Sequence, residues 1–302
     1  MLYTRMLFSS LVDADYSVSA SDETPDYLTE TEPTFDPDAV LRALYAYHDE
    51  LCAHSDQNTP VNRLRGELFR RCGEAGESDE GLFTLTAPTG TGKTLALLHF
   101  ALRQCVRFHK KRVIIVLPYL SITEQNADVY RKIEPELLED HSQSELSDAA
   151  REFAARWSVP LIVTTSVRFF ESLFAANPGD CRKLHHLANS VIVFDEAQSL
   201  PANVTAATLQ AINELCTQYH ATMLFSTATQ PDYDALNQVS WQPKEIVPEP
   251  ERMYRAMRRT TVEWRIAEHA RTPLCVIARE MSEERSVCAI VNLRAYARKL
   301  FC

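Results

Sequence analysis

The stretch Ala87-Pro-Thr-Gly-Thr-Gly-Lys-Thr94 carries the most specific chemistry in the chain. It follows the phosphate-loop pattern G-x-x-x-x-G-K-[ST], with alanine in place of the first glycine. Gly90 and Gly92 allow the backbone to curl, so that N–H groups, including those of Thr89 and Thr91, point inward at phosphate oxygens. A helix predicted to begin near Lys93 turns the positive end of its dipole toward the same anion. Lys93 then brings a charge to the β- and γ-phosphates of a nucleotide, and Thr94 a hydroxyl ligand for Mg2+. The competing reading is a turn with a chance lysine.

A second segment, Val191-Ile-Val-Phe-Asp195-Glu196-Ala-Gln198, ends an apolar run in two acids. Beside a phosphate loop, Asp195 is expected to hold Mg2+, directly or through water. Glu196 is expected to orient the attacking water or accept its proton. Positioning and charge stabilisation supply most of the acceleration in such phosphoryl transfer from ATP. The plainer reading is a surface acid pair at a strand end.

Three further segments are less specific. The hydroxyls of Ser226, Thr227 and Thr229 follow another apolar run and are expected to hydrogen-bond the acidic loop, with Gln198 as partner. They equally suit a turn in which Ser and Thr cap a helix. Pro118 and Tyr119, and Thr164 and Thr165, also follow apolar runs and open helices. Such positions suit sugar–phosphate contacts that carry no base information, and they equally suit plain helix starts.

Elements must bring these segments together. Apolar runs at Leu82–Thr86, Val113–Leu117, Leu161–Thr164, Val191–Asp195 and Thr222–Ser226 read as buried strands. Helical spacing between them falls at Thr94–Phe108, Ile122–Arg131, Ala149–Arg156, Val167–Ala176 and Thr205–Gln218. Such alternation predicts an α/β fold, a parallel sheet flanked by helices on both faces. Right-handed crossovers place all strand C-termini, and hence every segment above, on one edge. Helices are also predicted over residues 1–16, from a cap at Asp38 to about His54, and over 61–76. Residues 17–38 and 236–273 read as linkers. Val287–Asn292 and Ala295–Phe301 read as one more strand and helix.

The net charge is −10, and all of it falls in residues 1–60, which hold 12 acidic and 2 basic residues. The rest is neutral, so an acidic total does not exclude a nucleic-acid partner. No stretch approaches the roughly 18 apolar residues of a membrane span, and a signal-peptide pattern is lacking at the start. The expected location is therefore the cytoplasm, with no membrane partner. The eight cysteines are scattered without a C-x-x-C pair, which suits reduced, mostly buried thiols rather than a zinc site.

In this order, TAPTGTGKT, LPYLSITEQNA, VTTSVRFFESLF, VIVFDEAQSLP and FSTAT resemble a superfamily-two DEAD/DEAH-like helicase, and more narrowly the CRISPR-associated helicase–nuclease of type I systems. The resemblance implies a RecA-like domain over residues 59–235, ATP and Mg2+ as cofactors, and 3′-to-5′ movement along single-stranded DNA. It also implies recruitment to a CRISPR surveillance complex in antiviral interference. Asn62 and Arg63, ahead of the phosphate loop, would face the adenine, or else lie on an exposed helix. RMLFSSLVDADY resembles the last helix of the family's HD-type nuclease domain, where an aspartate binds metal. The match falls on Asp15, with Asp13 the alternative. His48–Asp49 lies on the wrong side of it to complete that site. Residues 1–25 are thus expected to be a nuclease-domain remnant, 26–58 an acidic linker and helix, 236–277 a linker, and 278–302 the incomplete start of a second RecA-like domain. The chain is expected to be a fragment lacking nuclease and full helicase activity. Another superfamily-two DNA or RNA motor, or a non-catalytic nucleotide-binding module, remains an alternative.

Overall fold

Within each central strand, successive side chains point to opposite faces of the pleat, and both sets are apolar. Val113, Ile115 and Leu117 enter one buried cluster, whereas Ile114 and Val116 enter the other. A sheet made of such strands needs helices on both faces. The computed structural model, which describes residues 2–23, 34–144, 148–199, 205–229, 242–264 and 272–301, has that arrangement.

The strands are β1 (Leu82–Thr86), β2 (Arg112–Leu117), β3 (Leu138–Asp140), β4 (Leu161–Thr165), β5 (Ser190–Phe194), β6 (Thr222–Thr227) and β7 (Lys244–Glu245). They form one parallel sheet in the order β3-β4-β2-β5-β6-β1-β7. The helices are α1 (Leu2–Glu23), α2 (Pro37–Ala53), α3 (Pro60–Ala75), α4 (Lys93–Phe108), α5 (Leu120–Arg131), α6 (Asp148–Arg156), α7 (Ser166–Phe174), α8 (Pro178–Cys181), α9 (Thr205–Gln218), α10 (Pro250–Ala256), α11 (Leu274–Glu283) and α12 (Arg294–Phe301). Residues of α2, α3 and α4 build the core on one face, around Leu44, Leu68, Leu97 and Phe100. On the other face, α7 and α9 contribute Phe169, Leu173, Leu209, Ile212 and Leu215, packed on Phe194 and Phe225. Among the described residues, no helix is long and apolar enough to cross a membrane.

Several expectations need correction. Helix α1 continues through residues 17–23, against the linker expected to begin at 17; residues 24–33 of that expectation lie outside the described residues. The cap of α2 is Asp36, whose carboxylate accepts from the Ala39 N–H at 3.0 Å, rather than Asp38. Pro37 then sits where a helix tolerates its missing N–H. The short strands β3 and β7 were not anticipated, because two or three residues carry too little periodicity to register. Residues 242–258 do not behave as linker: β7 pairs with β1, and Arg252 of α10 forms an ion pair with Glu67.

The chain divides into two compact units, residues 1–258 and 259–302. The second holds α11 and α12 and no strand among its described residues. Val287–Asn292 is coil with Val287 and Ile290 exposed, against the expected strand. A lone strand has no neighbour to take its backbone N–H and C=O groups, so the apolar run alone cannot form one.

Candidate active site

The order β5-β6-β1 puts three loops side by side at the C-terminal edge of the sheet. β5 leads into Asp195, β6 ends in Ser226 and Thr227, and β1 leads into the phosphate loop. In that loop Gly90 and Gly92 have φ of 85° and 79°, values that only glycine adopts freely. Gly92 is the residue before the first turn of α4, so the open N–H groups of that helix face the loop's interior. Thr91 is buried and donates to the Pro88 carbonyl at 2.8 Å, which braces the turn of the loop.

Lys93 and Glu196 meet across this edge, with Nζ 3.3 Å from Oε1. Asp195 lies half-buried beside them. Its Oδ1 accepts from Ser226 Oγ at 2.9 Å and from the Glu196 N–H at 3.1 Å. Burial pushes the Asp195 carboxyl above the usual carboxylate range, while Lys93 and the Ser226 hydroxyl pull the other way. Glu196 has φ 55°, left-handed for a residue with a side chain. That conformation costs roughly 1–2 kcal/mol and turns the acid back toward Lys93. Gln198 donates to Glu196 Oε2 at 2.7 Å and accepts from the Thr227 hydroxyl. The Thr227 hydroxyl in turn accepts from the Thr229 N–H at 3.0 Å. The hydrogen bond expected between Gln198 and the hydroxyl segment is made by Thr227, and Ser226 bonds Asp195 instead.

A groove of about 700 Å³ opens over these groups. Thr89, Gly90, Gly92, Lys93, Thr94, Asp195 and Glu196 line one end, and Asn62, Arg65, Phe69 and His48 line the other. The donors fit magnesium. Thr94 offers a hydroxyl, and Asp195 offers a half-buried carboxylate between Ser226, Lys93 and Glu196. Hard oxygen ligands of this kind suit a small divalent cation. At the far end three rings stack in a row, His48 on Phe69 with centroids 3.9 Å apart and Phe69 on His99 at 4.2 Å. His99 Nδ1 lies 2.9 Å from the Phe69 carbonyl, so it carries the proton, and Nε2 accepts from the Tyr45 hydroxyl at 3.0 Å. Burial keeps His99 below its ordinary pKa and hence neutral.

Of the two residues expected at the adenine, Asn62 lines the groove and Arg63 does not. Arg63 is exposed on another face of α3. Arg65 takes its place, donating from Nε to the Gly90 carbonyl and from Nη1 to Asn62 Oδ1, both at 3.1 Å. Helical spacing carries the signal that was missed: positions 62, 65 or 66, and 69 share one face, and 63 does not.

The expected nucleic-acid residues separate. Tyr119 is 62% exposed and Pro118 partly so. Thr164 is fully buried, its hydroxyl donating to the Asp140 carbonyl at 2.7 Å. Thr165 is also buried and caps α7 by accepting from the Arg168 N–H at 3.3 Å. Neither threonine side chain is open to a strand, because both belong to the interior strand β4, whose pleat the sheet and its helices cover. Asp15 is exposed. Asp13 points inward, where Arg182 Nε approaches Oδ1 at 2.8 Å and Arg156 Nε approaches Oδ2 at 3.0 Å. Asp13, His185 and His186 have metal-ligand spacing. The two guanidinium groups already neutralise the carboxylate, so the cluster reads as an ionic lock rather than a metal centre.

A parallel sheet with a phosphate loop, an acid pair and a hydroxyl relay on one edge defines a RecA-like P-loop motor domain. The chain belongs to the DEAD/DEAH box helicase family, whose profile matches residues 74–236. It is similar to the CRISPR-associated nuclease/helicase Cas3 of Haloferax volcanii, 27% identical over an alignment of 180 residues that covers 49% of this chain and 19% of the relative. The chain thus spans about a fifth of that protein's length. Among solved structures it resembles T. fusca Cas3 with AMPPNP (TM-score 0.49, 19% identity, 77% of this chain and 26% of that one). It also resembles the DEAD-box helicase Mss116 bound to ssRNA and UDP-BeF (TM-score 0.45, 15% identity, 65% and 44%).

Proposed function

We propose that this chain is the ATP-hydrolysing motor part of a CRISPR-associated helicase, using Mg2+-ATP to move along single-stranded DNA in antiviral interference, in the cytoplasm and in company with an RNA-guided surveillance complex. The observation that carries the hydrolytic reading is the Lys93–Glu196 pair, which joins the phosphate loop to the acidic loop inside one groove. A triphosphate competes for Lys93 and draws its ammonium off Glu196. The freed carboxylate, still held by Gln198, is then available to orient water and accept its proton. Thr94 and Asp195 would hold Mg2+, which supplies neutralisation of charge on the phosphate oxygens. Arg65, hydrogen-bonded to both Gly90 and Asn62, ties the base end of the groove to the phosphate end. The DNA substrate and the surveillance complex rest on the likeness to Cas3 and on the order of the segments.

The test is ATP turnover by the chain alone, with single-stranded DNA and with RNA. Turnover raised by DNA more than by RNA, and lowered by about 10²–10⁴-fold in Glu196→Gln with nucleotide binding kept, is the expected result. Lys93→Ala is expected to lose nucleotide binding. Equal stimulation by RNA would favour another superfamily-two motor. Binding without turnover in the unmodified chain would favour a non-catalytic nucleotide module.

A further inference from the structure

We propose that Asn126 is the residue that positions the Thr94 hydroxyl for Mg2+, and that it makes α5 part of the metal site. The inference rests on the magnesium-nucleotide reading above. Thr94 Oγ1 donates to Asn126 Oδ1 at 2.8 Å. The direction of that bond is fixed from the other side of the amide, because Asn126 Nδ2 donates to the Ile122 carbonyl one turn back on α5, at 3.0 Å. With the amide so oriented, only its oxygen faces Thr94, and the threonine must give its proton. A hydroxyl binds a cation through its lone pairs, so its proton has to point elsewhere. Asn126 takes that proton and leaves the lone pairs toward the groove that Thr94, Asn126, Asp195 and Glu196 line together.

A second bond holds the same residue. The Tyr130 hydroxyl, on α5 one turn beyond Asn126, donates to the Thr94 carbonyl at 3.2 Å. Tyr130 is 1% exposed, and burial raises its phenol further above the neutral range, so it stays a donor. Thr94 is thus gripped at its side chain and its backbone by successive turns of one helix. That helix begins at Leu120, directly after the half-buried Pro118 and the exposed Tyr119. A strand lying on that segment bears on the element that orients the metal's hydroxyl ligand.

The experiment is a titration of the chain with a fluorescent N-methylanthraniloyl derivative of a non-hydrolysable ATP analogue, in EDTA and at rising Mg2+. Groups that orient a metal ligand typically contribute 10–100-fold in metal affinity. Asn126→Ala and Asn126→Leu are expected to need at least about tenfold more Mg2+ for half-maximal tightening, with affinity in EDTA unchanged. Asn126→Asp keeps an acceptor for the Thr94 proton but loses the donor to the Ile122 carbonyl and adds a charge, so it is expected to recover part of the Mg2+ dependence lost in Asn126→Ala. Unchanged Mg2+ dependence in Asn126→Ala, equal weakening in EDTA and in Mg2+, or failure of Asn126→Asp to restore any of it, would each overturn the assignment. Binding by the unmodified chain that ignores Mg2+ would instead overturn the magnesium-nucleotide reading itself.

Discussion

The acid Glu196 sits between two partners of different kind. Lys93 belongs to the nucleotide side, and Gln198 leads away through Thr227 to Thr229. The Thr227 hydroxyl both donates and accepts here, so the chain of bonds is continuous from the acid to the backbone after β6. Such a chain can report the state of the nucleotide only if each member is present. Thr227→Val keeps the shape and removes the hydroxyl. It is expected to leave ATP binding and basal turnover near normal, and to cut stimulation by DNA about tenfold, the equivalent of one hydrogen bond of ~1–1.5 kcal/mol. Turnover measured with and without single-stranded DNA decides this. Equal stimulation in variant and parent would reduce the relay to a turn cap. The polar ends of the relay were legible in the sequence, because Gln198 and the Ser226–Thr229 hydroxyls follow neighbouring strands. Which hydroxyl meets which acid was not legible, since one residue of offset along β6 sends Ser226 to Asp195 and Thr227 to Gln198.

Among the elements, α1 shows how an ionic lock fixes a helix that has few apolar contacts. Leu2 and Met6 enter the core on one side of the sheet. Arg5 donates to the Ala175 carbonyl at 2.8 Å, and Ser9 bonds the Cys181 carbonyl and His185. Asp13 closes the contact with Arg182 and Arg156, and Arg182 also pairs with Glu152. Asp13 and Arg182 side chains are each 6% exposed. Removing one partner of a buried pair leaves a charge without compensation, which costs roughly 3–5 kcal/mol. Because Arg182 keeps Glu152, Asp13→Ala is expected to lower stability to urea by less than that amount, whereas the exposed Asp15→Ala stays within about 0.5 kcal/mol of the parent. Equal, small effects would show that α1 contributes nothing to the fold of this unit. Residue type and order announced this helix, the central strands and the phosphate loop. They did not announce the face it presents, and the resemblance pointed to Asp15. The same limit separated Arg63 from Arg65 on α3, because identity of a helix is local while the partner of each face is set by distant chain.

The molecule keeps its chemistry and part of its stability at opposite ends of the sheet. The groove lies past the C-terminal ends of β1, β5 and β6. At the other end, the 3-10 turn Leu184–Leu187 precedes β5 and places His186 against Arg112, the first residue of β2, which donates to the His186 carbonyl. Burial, then Arg112, His185, Arg156 and Lys111, push the imidazole down to about 2 from its ordinary 6.5. Every one of those neighbours is a cation or can become one, so none rewards protonation. Between pH 6.5 and 2 the unfolded chain takes up a proton at this site that the folded chain refuses. The stabilisation is thus complete above pH 6.5 and is lost as pH falls, at about 1 kcal/mol per unit once well below 6.5. His99, held down by burial near the groove, adds in the same direction. The urea midpoint is accordingly expected to fall from pH 7 to pH 5. His186→Phe retains a ring against His185, with centroids now 4.1 Å apart, and removes the titrating nitrogens. Its stability is expected to decline less steeply over the same interval, by roughly 1–2 kcal/mol in total. A variant with the parent's slope would show that His186 is not what couples this fold to acid.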